Sequence, residues 1–306
     1  MGFRYRLLGA VTWCSFAAGI AFAQGDALTP EAKQWHELSD KKQTAAAKKL
    51  CLGWESSGTH AQQVEAEKCL ANLALAEGKA VQLKGNDVGG GTLGDGFKPE
   101  AVNVALVHLN KGIALEPKDL TLHKGRLFLL GLSGRYAEMA AALEDTLNKL
   151  PEPEYLPDWL RYTAQLGASG DAQGGLKLLA VLDKHFPNSH EIIGNTGTMY
   201  DIQGLWPQGI PYLKRAAELA PKDPIDTWNL GWAYAHVHEP KLADEWMQRS
   251  IALPNDDGTD QRKCLYARFV GSELKQKARA CTLESQSCAR PLRVDCAAAT
   301  PAHKAK

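Results

Sequence analysis

Apolar residues recur three and four positions apart in a series of stretches, each closed by a proline at nearly fixed spacing. Glu116-Pro117, Leu150-Pro151, Phe186-Pro187, Ala220-Pro221 and Leu253-Pro254 follow one another at 34, 36, 34 and 33 residues. Spacing by three and four is helical. A repeat of this length marks stacked helical hairpins, because a lone hairpin has a face it can bury only against its neighbour. The prolines define units at 120–153, 156–189, 190–223 and 224–257, with only Glu154 and Tyr155 between the first two.

Within the units, like residues fall at like offsets. Gly197 and Gly231 share position 8, and Tyr200 and Tyr234 share position 11. Gly175, Gly209 and Ala243 share position 20, while Leu143, Leu179, Leu213 and Met247 share position 24. Small residues at 8 and 20 let two helices cross closely, and the larger apolar ones fill the space between units. Turns are expected between the helices at Ser133-Gly134-Arg135, Ser169-Gly170-Asp171, Gln203-Gly204 and His238-Glu239-Pro240.

The flanks read as helical too. Thr29-Pro30 starts a helix, with threonine as cap and proline in the first turn. One helix from Pro30 to about Leu52 and another from His60 to about Lys79 make an N-terminal hairpin over 24–83. Val102 to Leu115 reads as a further helix, paired with the second of these across a Gly-rich insertion at 84–100. From Gly258 one amphipathic helix to about Ala278 is expected to cap the stack, with the cysteine-rich tail, to 306, stapled onto it.

At this point the pattern resembles the tetratricopeptide repeat, whose signature is Trp-x2-Leu-Gly-x2-Tyr followed by Ala, Phe and a closing Pro. The match is best over Ile193–Pro221 and Thr227–Pro254, weaker over Trp159–Pro187 and weakest over His123–Pro151. Position 4 is tryptophan only at Trp159, and position 8 is Thr163 or Leu127 in the weaker units. The resemblance implies an all-α, right-handed superhelical solenoid of such hairpins, running from 101 to 257.

Thirty-five basic against 35 acidic residues exclude a polybasic nucleic-acid binder. Arg4 and Arg6, an uncharged run from Leu7 to Ala23, and Ala21-Phe22-Ala23 before Gln24 read as a signal peptide over 1–23, cleaved after Ala23. Its loss leaves 33 basic and 35 acidic residues, formally −2. No later stretch reaches the roughly 18 uncharged apolar residues of a membrane span. The expectation is a periplasmic or secreted protein without stable membrane insertion. Six cysteines then remain: Cys51, Cys69, Cys264, Cys281, Cys288 and Cys296. In an oxidising compartment these read as disulfides, Cys51 with Cys69 and the last four among themselves in an open pairing. Gaps of 16, 6 and 7 residues between the last four give no Cys-x2-Cys zinc knuckle.

Catalytic motifs are missing. Gly89-Gly90-Gly91 and Gly94-Asp95-Gly96 lack the Gly-Lys-Ser/Thr of a phosphate loop. His236 and His238 stand two apart rather than four, so they point in different directions on a helix. Asn255 to Asp260 lacks the ligand spacing of a calcium loop. No cofactor, metal or enzymatic activity is expected.

The resemblance implies that the first helix of each unit lines a concave groove. Lys124, Phe128, Asn195, Asp201, Trp228, Asn229, Trp232 and His236 fall at groove positions, with Glu191 and Thr198. Asn195 and Asn229 both occupy position 6, where the family uses an asparagine to hold an extended peptide. An amide offers the donor and acceptor that a peptide unit needs. Trp228 and Trp232, one turn apart, would be an aromatic anchor. The plainer reading stays open: asparagine is common at that position, and the tryptophans pack between units. Neighbouring groove positions lack the lysines of a carboxylate clamp. The expected function is a non-catalytic exported scaffold gripping an extended or helical segment of another envelope or secreted protein. The alternative is a module for cell-wall glycan or peptide, using Trp228, Trp232 and the Gly-rich loop.

Overall fold

A computed structural model describes residues 28–78, 97–253 and 259–288. The signal peptide, most of the Gly-rich insertion, Cys296 and the tail beyond Cys288 lie outside the described residues. Among those described there are fourteen α-helices, one short 3-10 helix and no β-strand. The chain divides into two compact units at 185/186, inside the run of repeats.

The first unit holds α1 (Pro30–Asp40), α2 (Thr44–Ser57), α3 (His60–Glu77), α4 (Pro99–Leu115), α5 (Leu120–Leu132), α6 (Tyr136–Lys149), the 3-10 turn Pro153–Tyr155, α7 (Leu156–Ala168) and α8 (Ala172–His185). The second holds α9 (His190–Ile202), α10 (Trp206–Leu219), α11 (Pro224–His236), α12 (Pro240–Ala252), α13 (Thr259–Ser272) and α14 (Lys277–Ser287). Helices α7, α9 and α11 start 34 residues apart, as the prolines foretold.

Every hairpin from α5 to α12 closes with a three-residue turn whose middle residue is left-handed. These are Gly134, Gly170, Gly204 and His238, with φ of 69°, 90°, 73° and 60°. The next amide then donates back over the helix end: Arg135 to Leu130, Asp171 to Leu166, Leu205 to Tyr200 and Glu239 to Tyr234, all at 2.9–3.0 Å. This is the Schellman arrangement, and glycine enters it without a Cβ clash. Between hairpins a second signal operates. After Pro117, Pro187 and Pro221, the residue two further on caps the next helix: Asp119, Ser189 and Asp223 accept from the amides of Leu122, Ile192 and Asp226.

Two expected helices are each broken. The single helix from Pro30 to Leu52 is α1 and α2, because Lys42 is left-handed (φ 57°) and Gln43 donates to Leu38 at 2.8 Å. The expected helix from Gly258 to Ala278 is α13 and α14, broken at Lys275 (φ 57°). The Lys42 turn repeats the glycine turns with lysine in the left-handed place, whereas the Lys275 turn is one residue longer, its Gln276 amide donating six residues back to Val270 at 3.0 Å. The C-terminal cap is therefore a hairpin.

Thr29 caps α1, accepting from Ala32 at 3.0 Å. Helices α3 and α4 pack together, and Cys51–Cys69 joins α2 to α3. Trp35, Trp54, Ala66 and Leu70 bury themselves around that bridge. Lys68 is held between Glu65 (2.9 Å) and Asp119 (2.6 Å), and Glu65 accepts from Trp35 Nε1. Burial opposes the Lys68 charge, but the two carboxylates outweigh it and raise its pKa. Cys264 pairs with Cys288, and Cys281 is disulfide-bonded as well. Arg279 of α14 bonds Asp244 and the Tyr266 hydroxyl, fastening α14 to α12 and α13.

Positions 8, 20 and 24 behave as the pattern requires. Leu143, Leu179, Leu213 and Met247 are all buried. A Cβ on Gly197 would stand 2.6 Å from Leu213 Cγ, inside any tolerable contact, whereas one on Gly53 of α2 would meet nothing within 4 Å. Gly197→Ala is therefore expected to destabilise the fold by about 1–3 kcal/mol through overpacking. Gly53→Ala should stabilise it by about 0.5–1 kcal/mol through helix propensity. Urea unfolding of the two variants checks both signs.

Candidate interaction face

The sequence-predicted residues fall in both compact units. Lys124 and Phe128 lie on α5, and the other six lie on α9 and α11. Lys124 is paired with Asp158 of α7 at 2.6 Å, a bond between successive hairpins. Phe128 is half-buried in a crevice of about 20 Å³ with Met139 and Tyr162, room for about one water. This end of the predicted face is packed.

The α9/α11 face is richer. Asn195 Nδ2 donates to the Glu191 carbonyl of its own helix at 2.7 Å. Asn229 Nδ2 reaches across to the Thr198 hydroxyl of α9 at 3.5 Å, and that hydroxyl donates to the Gly194 carbonyl at 3.0 Å. The position-6 amides are thus differently engaged: one on its own backbone, one on the neighbouring helix.

Beside Asn229 runs an aromatic strip. Trp228, Trp232 and His236 succeed one another every four residues along α11, so they stack on one side of the helix. Trp228 and Trp232 centroids are 6.2 Å apart, and Trp232 meets His236 edge-on at 5.2 Å. His236 then lies flat on Trp206, the first residue of α10, at 3.9 Å. The strip grades outward: Trp228 is buried in the core with Met247, Tyr266 and Phe269, Trp232 and Trp206 are half-buried, and His236 is exposed. Although much of His236 faces solvent, partial burial of its ring against Trp206 and Trp232 lowers its pKa from the usual histidine value, with His238 adding to the effect. Trp206 is the member that sequence reasoning missed. Its signal was its place directly after the Gly204 turn, which lays a helix start against the end of the next hairpin's first helix.

Asp201 is not at the surface. It is 8% exposed, and its Oδ1, which has no hydrogen-bond partner, occupies the space that a side chain at Gly209 would fill. Burial alone pushes its pKa up to about 8. Asp226, likewise buried, takes a hydrogen bond from His190 Nδ1 at 2.8 Å; burial nevertheless carries it to about 6. Both acids sit over glycines, Gly209 and Gly194 respectively.

Helical hairpins of this period, closed by left-handed turns and crossed at small residues, give the chain an all-α hairpin fold similar to that of the tetratricopeptide repeat. No protein-family model and no curated protein matches it. Among solved structures, it is similar to PilW, a type IV pilus biogenesis factor, at 15% identity over 61% of this chain and 84% of that one, with a TM-score of 0.42. Similar, too, is Pseudomonas aeruginosa PilF, at 12% identity over 61% and 83%, with a TM-score of 0.42. The C-terminal part of a TPR repeat-containing protein from Cytophaga hutchinsonii gives 9% identity over 85% and 96%, with a TM-score of 0.49.

Because the folded Asp201 holds its proton to about pH 8 while the unfolded chain ionises near 3.8, the cost of burial appears between those values. Stability relative to Asp201→Asn is expected to be greatest below about pH 4 and to fall as pH rises toward 8. The asparagine variant should be the more stable by on the order of 1–3 kcal/mol near pH 7.5. Urea midpoints across pH 4–8 measure the crossing.

Proposed function

We propose that the protein is a non-catalytic, exported scaffold that holds an extended or helical segment of another envelope or secreted protein on its α9/α11 face. One observation carries this reading: a strip of rings emerging from the core to the surface, Trp232–His236–Trp206, beside an amide, Asn229, set between two helices. Rigid rings give a segment apolar area at low entropy cost, and an amide satisfies its backbone. Trp228 supports Trp232 from beneath, and Asn195 extends the polar line along α9. Export is supported by the disulfides joining α2 to α3 and α13 to the segment after α14, and by the N-terminal sequence pattern. No helix among the described residues is long and apolar enough to cross a membrane.

A photo-crosslinking residue at Asn229, with exposed Lys214 on α10 as control, tests the proposal in the exporting cell. A discrete protein adduct at 229 and none at 214 is the expected result. No protein adduct from folded, oxidised chain would overturn it. The strip also suits the flat face of a sugar ring, which favours glycan as the second reading. Under that reading, soluble cell-wall glycan fragments quench tryptophan fluorescence, and Trp232→Ala loses most of the change; under the scaffold reading the fluorescence stays constant.

A further inference from the structure

The first unit carries a cluster that the interaction face does not use. Glu55 of α2, Glu67 of α3 and His108 of α4 each bring one ligand atom within 4.8 Å of the others. His108 Nδ1 and Glu67 Oε2 are 2.6 Å apart. Glu55 Oε1 accepts from Lys111 Nζ at 2.8 Å. The Glu67 side chain is 4% exposed and forms the floor; His108 at 17% and Glu55 at 28% form the walls, and Lys111 at 51% lies at the mouth.

We propose that Glu55, Glu67 and His108 form a binding site for a divalent transition-metal ion of the zinc type, with Lys111 occupying the place of the cation when metal is absent. Two carboxylates and an imidazole are donors that zinc takes, at about 2.0–2.2 Å each, leaving a fourth position for water. Drawing the three atoms around one ion asks for movements on the order of 1 Å, which the partly exposed Glu55 and His108 side chains can make. A dication set against two carboxylates balances their charge, so the ammonium is no longer needed and its exposed stem can swing into solvent. A buried carboxylate below an open mouth gives the ion both a destination and a path.

The disulfide prepares this geometry. Glu55 lies one helical turn beyond Cys51, and Glu67 lies two residues before Cys69, so the Cys51–Cys69 bridge fixes the two carboxylate-bearing helices side by side. Gly112 does the same for the third ligand, since a Cβ there would come within 3.3 Å of Glu67 Cβ and 2.9 Å of Leu122. The other mixed cluster, His190 with Asp223 and Asp226, is weaker because Asp223 Oδ1 already accepts two backbone amides as the cap of α11.

The test is zinc titration of tag-free, oxidised, chelator-stripped full chain by calorimetry, with metal content read after gel filtration. One zinc ion per chain is expected. Glu67→Gln and His108→Ala should each weaken binding by at least about tenfold, while His190→Ala leaves it unchanged. Lys111→Met should bind at least as tightly as the wild type, a result that a purely structural ion-pair network does not give. Circular dichroism certifies each variant as folded; should His108→Ala fail, Lys111→Met and the visible spectrum of the cobalt-loaded wild type decide. Absence of retained zinc in the wild type overturns the proposal, as does retention that is indifferent to Glu67 and His108 or that is lost with Lys111→Met.

Discussion

A left-handed residue at the centre of each three-residue turn, locked by an amide that bonds five residues back, fixes how the second helix of a hairpin returns along the first. The other regularities depend on that return. With the helices brought back at one angle, position 8 of the first meets position 20 of the second, and at Gly197 against Gly209 the approach is so close that only small residues fit. Once those backbones touch, the large residue at position 24 is carried into the core at every repeat. The prolines and caps between hairpins set where the next first helix begins, and so where its exposed face points.

This hierarchy explains what could be read from the sequence and what could not. Proline spacing and turn residues are local signals, and they made the repeating hairpins from α5 to α12 legible. Lys42 and Lys275 adopt the glycine conformation with lysine side chains, so the breaks after α1 and α13 left no mark in residue type. Their left-handed geometry costs something that packing on either side must offset. At the interaction face, the four-residue spacing of Trp228 and Trp232 announced a shared side of α11. It did not say that α13 would arrive to bury the first and leave the second nearer solvent. Glu55, Glu67 and His108 were beyond reach for another reason: their neighbourhood exists only once three helices have packed.

The buried acids show how a repeat framework absorbs local expense. Asp201 keeps an unpartnered carboxyl oxygen inside its hairpin, and Asp226 keeps a carboxyl whose partner, His190, belongs to the preceding hairpin. Each is accommodated by a glycine. In a stack of near-identical units such a defect is borne by one unit and its neighbour rather than by the whole chain.

The two disulfides described sit in helices near the two ends of the described chain: Cys51–Cys69 joins α2 to α3, and Cys264–Cys288 joins α13 to the segment after α14. A linear array comes apart by peeling, because an end element has a neighbour on one side only. Each bridge ties a helix near one end of the described chain to the helix or segment that follows it, so neither can swing away alone.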